Sequence, residues 1–271
     1  MDEDLVEIDI TDGIADIRFN RADKHNSLTL EMFDAIAAAG QALHDNPAIR
    51  VAVLSGNGPS FCAGLDFSVM RSLLASEQDQ TAAPDRLLTR ADGPENLAQR
   101  VAYCWKSAPV PVIAAVHGVA FGGGFQIAMG CDIRIAAPQA RFSIMEMRYG
   151  LIPDMSITQT LPELLGRDVA LELTLSAREF LADEALTLGL VTAVNEQPLA
   201  AAHELATIIA GRSPQAVRAC KQLYNDTWRS DAASGLALEA ALQKSLIGSR
   251  NQREAVTASL EKRAPNFSDA P

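Results

Sequence analysis

Residues 117–136 read HGVAFGGGFQIAMGCDIRIA, directly after the apolar run VPVIAAV at 110–116. A β-branched run that meets Gly122, Gly123 and Gly124 and then a helix-compatible stretch is a strand turning into a helix through glycine. Such a turn lets the backbone approach a ligand closely, and the helix start offers unpaired N–H groups with partial positive charge. The same glycines also serve a tight turn whose packing needs small residues. No G-K-[ST] follows, so this is not a phosphate-cradling P-loop. Gln126 stands three residues past Gly123, and an amide cannot take up a proton near neutral pH.

Working outward, FCAGLD at 61–66 places Ala63 and Gly64 at a second passage of the same kind. Two N–H groups, from Leu65 and Gly123, could then converge on one oxygen, the arrangement that stabilises a developing oxyanion. The unit strand, turn, helix recurs: RVAVLSG with NGPSFCAG and LDFSVMRSLL, then VPVIAAV with its glycine turn, then CDIRIAA with ARFSIME. That alternation predicts an α/β fold. Upstream, LVEIDI and IADIRF flank Asp12-Gly13, a hairpin signal. The helical spacing of Met32, Phe33, Ile36 and Leu43 predicts a helix opening near Thr29 and ending before Pro47.

The acidic, two-proline stretch 75–95 reads as a mobile loop or lid. From about residue 197 the pattern is helix only. The expected organisation is therefore a core over 1–196 and a helical oligomerisation region over 197–271, whose amphipathic helices need an apolar surface to cover.

Composition bounds the function. The chain has 271 residues, 48% of them apolar and 21% charged, as in a soluble globular protein. A net charge of −11 argues against nucleic acid and anionic membrane partners. MDEDLVEIDI at the start lacks the basic and apolar regions of a secretory leader, and no apolar run is long enough to span a bilayer. The scattered Cys62, Cys104, Cys131 and Cys220 read as reduced thiols in a cytoplasmic protein, and the scattered His25, His44, His117 and His203 give no metal-ligand spacing.

The motifs NRADKHNSLT, SFCAGLDF, VHGVAFGGGFQIAMGCDIRIA, FSIMEMRYGLIPD and EKRAPNF, in this order over essentially the whole chain, resemble the crotonase superfamily, the enoyl-CoA hydratase/isomerase family. The resemblance implies a spiral of ββα units, a C-terminal helical trimerisation region, trimers or paired trimers, and acyl-CoA thioester substrates. It implies no resident cofactor, coenzyme A being part of the substrate. Leu65 and Gly123 would hold the thioester oxygen as it becomes an enolate, within turns built by Ala63, Gly64 and Gly122. Lys24, His25 and Asp66 fall where such proteins hold the coenzyme A portion, and Lys262 looks like a phosphate-reaching base. Ala22 replaces the family's usual proline.

The same resemblance bears on the reaction. Hydratases of the family use two glutamates; here one position is Glu146 and the other is Gln126. Dienoyl-CoA isomerases carry an aspartate at the position of Asp154. Both departures point to double-bond migration, with Glu146 and Asp154 as acid and base. Three alternatives stay open: a hydratase in which Gln126 orients water, a hydrolase with Asp154 as nucleophile, and a non-catalytic acyl-CoA binder. Glu146 could equally be a structural carboxylate, and Asp154 a cap for a helix in PDMSITQTL.

Overall fold

The structure, a computed structural model, describes residues 4–74, 83–90 and 93–269. The chain opens with the hairpin β1 (Val6–Thr11) and β2 (Ile14–Phe19), paired antiparallel with Thr11 opposite Ile14. Asp12 and Gly13 both take positive φ (53° and 78°), the two-residue turn that suits the twist of flanking strands. Helix α1 (Leu30–Asp45) begins where expected, with the Thr29 hydroxyl accepting the N–H of Met32.

Next come β3 (Val51–Gly56), α2 (Phe67–Leu74), α3 (Ala83–Leu88) and α4 (Leu97–Ser107). They are followed by β4 (Val112–Val116), β5 (Val119–Phe121), α5 (Gly123–Gly130), β6 (Ile133–Ala136) and β7 (Arg141–Ser143). Then α6 (Ile157–Thr160), α7 (Arg167–Ser176), β8 (Phe180–Leu181), α8 (Ala182–Thr187) and β9 (Ala193–Val194) lead to the C-terminal helices. These are α9 (Pro198–Ala210), α10 (Pro214–Thr227), α11 (Ala232–Leu246) and α12 (Arg250–Leu260).

The main sheet runs β1-β2-β3-β4-β6-β9, parallel from β2 onward, and a small sheet runs β5-β7-β8. Both faces of the parallel strands are covered, as such sheets require. On β3 and β4, Ala52, Leu54, Val112 and Ala114 face the large core with α1, α4 and α5, while Val51, Val53, Ile113 and Ala115 face Ala202, Ala206 and Ala210 of α9. The helix-only region expected from 197 thus begins with a helix that closes the sheet itself. Small residues every fourth position let α9 lie flat on the strands.

The part of 75–95 expected as a loop contains α3, whose Leu87 is buried; residues 75–82 and 91–92 lie outside the described residues, and with them the rest of the mobile-lid expectation. Among the described residues no helix is long and apolar enough to cross a membrane.

A buried cation ties α10 to the core. Lys221 of α10 donates to the carbonyls of Trp105 and Val110 and to Asp132 Oδ2 at 2.8, 2.9 and 2.7 Å. Outward, Trp228, Leu236, Ile247 and Leu260 leave large apolar side chains exposed.

Candidate active site

The two glycine turns are brought together by main-chain pairing. Phe61 N–H donates to His117 O, Cys62 N–H to Val119 O, and Phe121 N–H to Cys62 O, at 2.9, 3.0 and 3.1 Å. The segments leading into Gly64 and Gly122 therefore run parallel and in register. A Cβ built on Gly64 would lie 2.6 Å from Phe121 O and 3.5 Å from Gly123 N. Each glycine of the triplet has its own reason. Gly122 adopts φ 51°, ψ −117°, which side-chain-bearing residues avoid, and a Cβ on Gly124 would sit 2.2 Å from Cys62 O. Gly123 opens α5.

This pairing leaves the N–H groups of Leu65 and Gly123 over. Leu28 N–H donates to Gly64 O and Asp66 N–H to Leu28 O, so the parallel bridge of Leu28 with Leu65 consumes the neighbours' groups and turns Leu65's own N–H the other way. Gly123, in the first turn of α5, has no intrahelical acceptor. Among the described residues neither N–H meets a protein acceptor. Two free donors on touching turns can hold an oxygen that gains negative charge.

Glu146 opens the 3-10 turn Glu146–Tyr149 after β7, and its carboxyl packs beside Gly122: a Cβ there would be 3.3 Å from Oε1. Oε1 accepts from Gln126 Nε2 at 2.6 Å, whereas Oε2 is buried with no partner. Burial raises the Glu146 carboxyl above its ordinary range, the Gln126 bond opposes that, and the charge of Asp154 adds to it. Asp154 is exposed on its own account, and the protein mass around it raises its carboxyl by desolvation. Asp154 does not cap the following helix: α6 starts at Ile157 with Ser156 at the capping position.

A cavity of about 580 Å³ gathers these groups. Lys24, His25, Ala63, Gly64, Leu65, Asp66, Gly122, Gly123, Glu146 and Asp154 all line it. Two expected site residues do not. Gln126 is fully buried, with its Oε1 taken by Met155 N–H at 2.8 Å and its Nε2 by Glu146, so it stands behind the cavity wall rather than in it. Lys262, after α12, is not among the lining residues of the single chain.

Asp66 also plays a part the sequence did not disclose. Burial alone would raise its carboxyl, but Arg21, Ser68 and Ser27 hold it well below the usual range, with Arg21 Nη1 at 2.7 Å. It is committed to an ion pair that ties the 21–27 turn to the first glycine turn. Asn26, fully buried at φ 54°, supports the same turn by accepting from Arg21 N–H and donating to the carbonyls of Asn57 and Ser60. The pair His25-Asn26, both in the left-handed region, was the available signal, because asparagine tolerates that conformation best.

Most of the rest of the cavity is apolar, with Phe33, Phe67, Met70, Leu87, Ile152 and Met155 among its lining residues, and Asp23, Ser27 and Tyr149 complete its polar lining. Lys24 is its only lysine or arginine among the described residues, and the sequence at 75–82 and 91–92 contains no basic residue. Among the described residues no group of three or more His, Cys, Asp or Glu side chains could hold a metal ion.

Comparison with known proteins converges on one family. The enoyl-CoA hydratase/isomerase family profile matches residues 9–270. A crotonyl-CoA hydratase from Syntrophomonas wolfei is 35% identical over 94% of this chain and 94% of its own length. The peroxisomal Delta(3,5)-Delta(2,4)-dienoyl-CoA isomerase of Arabidopsis thaliana is 33% identical over 92% of this chain and 90% of its own. The crystal structure of an enoyl-CoA hydratase from Bacillus anthracis superposes with a TM-score of 0.87 at 30% identity, covering 98% of this chain and all of that one. With the crotonase fold, the paired glycine turns and this likeness over nearly its full length, the chain belongs to the enoyl-CoA hydratase/isomerase family of the crotonase superfamily.

Proposed function

We propose that the chain shifts a double bond of an enoyl- or dienoyl-CoA through an enolate held by the N–H groups of Leu65 and Gly123. The observation that carries this reading is the pair of acids: Glu146 and Asp154 share one cavity, and the group bonded to Glu146 is a neutral amide, not a second acid. Glu146 removes an allylic proton, the electron pair moves into the thioester, and its oxygen takes up the charge at the two N–H groups. Asp154, or Glu146 itself, returns a proton at another carbon, so the double bond moves and nothing is gained or lost. Raised carboxyl pKa values suit groups that act alternately as base and acid.

The same reading assigns the acyl tail to the apolar wall and an uncharged tail to the substrate, because a carboxylate at its far end would meet no cation there. Lys24 and His25 face the coenzyme A portion, and Lys262 reaches a phosphate from the end of the helical region. The exposed apolar side chains on α10 to α12 support association into a homotrimer or a pair of trimers.

Hydration is the second reading, favoured by the 35% identity to a crotonyl-CoA hydratase. A panel of enoyl- and dienoyl-CoA thioesters incubated in heavy water separates the two. Isomerisation yields an isomeric thioester with no water added, and deuterium at the reprotonated carbon marks a proton drawn from solvent rather than the one removed. A hydroxyacyl-CoA as the main product would overturn the isomerase reading.

A further inference from the structure

The buried amide of Gln126 touches both segments that carry the acids. It lies on α5, and it joins Glu146, on the turn after β7, to the main chain of Met155, the residue after Asp154. Its orientation follows from chemistry. Met155 N–H can only donate, so the amide oxygen must face it; the amide nitrogen then faces Glu146 and can only donate in turn. The other carboxyl oxygen, Oε2, is buried without a protein partner, so the Gln126 bond is the one side-chain contact that fixes how the Glu146 carboxyl is turned.

We infer that Gln126 is a positioning residue: one amide locks the Glu146 carboxyl and the main chain beside Asp154 in a single arrangement, from which that carboxyl takes and returns the proton. The inference rests on the double-bond-shift reading above. In that step the substrate proton passes to the Glu146 carboxylate, the C–H electron pair enters the enolate, and a carboxyl group then gives a proton to another carbon. Asp154 is the carboxyl whose charge acts on Glu146, and the other titratable residues lining the cavity are Asp23, Lys24, His25, Asp66 and Tyr149.

The test compares wild type with Gln126→Glu and Gln126→Met, using an unbranched, methyl-terminated 3,5-dienoyl-CoA and following the absorbance of the conjugated 2,4-dienoyl product. Gln126→Glu keeps the shape and the acceptor for Met155 N–H, but presents an acid to Glu146. Its kcat should fall about tenfold to a hundredfold with KM within about twofold, since the substrate never touches residue 126. The acid limb of the kcat profile should move to higher pH, because a like charge disfavours ionisation. Gln126→Met removes both bonds and should move kcat and the limb in the same directions; its unfolding midpoint shows whether it has folded.

The carbon-13 shift of the Glu146 carboxyl, assigned through Glu146→Gln, reads the same quantity without turnover. Its midpoint should rise in both variants. A wild type that shifts no double bond, with this midpoint still rising, defeats the functional reading and leaves the positioning role standing. An unmoved midpoint, or a KM that rises while kcat holds, overturns the positioning role.

Discussion

Gly64→Ala is the perturbation that separates the geometry of the glycine turns from their mere presence. Gly64 has φ +86°, where a side chain is strained by roughly 1–2 kcal/mol, and the new methyl would meet the carbonyl oxygen of Phe121 at 2.6 Å. That oxygen belongs to main chain and cannot swing aside as a side-chain tip would. The turns must part, which costs stability of about 1–3 kcal/mol in all. A domain stable by about 5–15 kcal/mol still folds. Parting the turns moves Leu65 N–H away from Gly123 N–H, and losing one such donor costs about 2.7–4 kcal/mol in the transition state, or roughly a hundredfold to a thousandfold in kcat. Urea unfolding and steady-state kinetics on the same preparation give both numbers. A variant that loses stability yet turns over at the wild-type rate would refute the reasoning, because the strain would then have been absorbed without disturbing the donors.

Glu146→Gln should abolish nearly all turnover, about a hundredfold or more, yet stabilise the fold at pH 7. The folded carboxyl binds its proton more tightly than the unfolded one, so its stability contribution is present below about pH 4.3 and is lost as pH rises through the folded pKa. The variant's advantage in urea should vanish in acid. Lys221→Met breaks a buried pair and leaves Asp132 and two carbonyls short of a donor, which should cost about 3–5 kcal/mol. Its kcat at low temperature should be unchanged, because Lys221 lies outside the cavity. Lys24→Ala should raise KM severalfold for the coenzyme A thioester and not for a truncated pantetheine thioester.

What could be read in the sequence was local. Asp12-Gly13 announces its hairpin and Thr29 its helix, because a turn's dihedrals and a cap's hydrogen bond depend on a few adjacent residues. The glycine turns were legible for the same reason, and the order of motifs gave the family. The roles of Gln126 and Asp66 were not. Each is engaged by protein groups distant in the chain: Glu146 and Met155 for one, Arg21 and Ser27 for the other. Residue type alone cannot disclose such a partner. The docking of α9 on the sheet was hidden likewise, since alanines at every fourth position suit a close sheet contact and a subunit interface equally.

The central claim is that two main-chain N–H groups hold the thioester oxygen as it becomes an enolate. A crystal structure with a non-reactive enoyl-CoA analogue measures this directly. The thioester oxygen should lie within about 2.7–3.1 Å of both Leu65 N and Gly123 N, with the allylic carbon against the Glu146 carboxyl. A thioester oxygen bonded elsewhere, or to only one of the two, would contradict it.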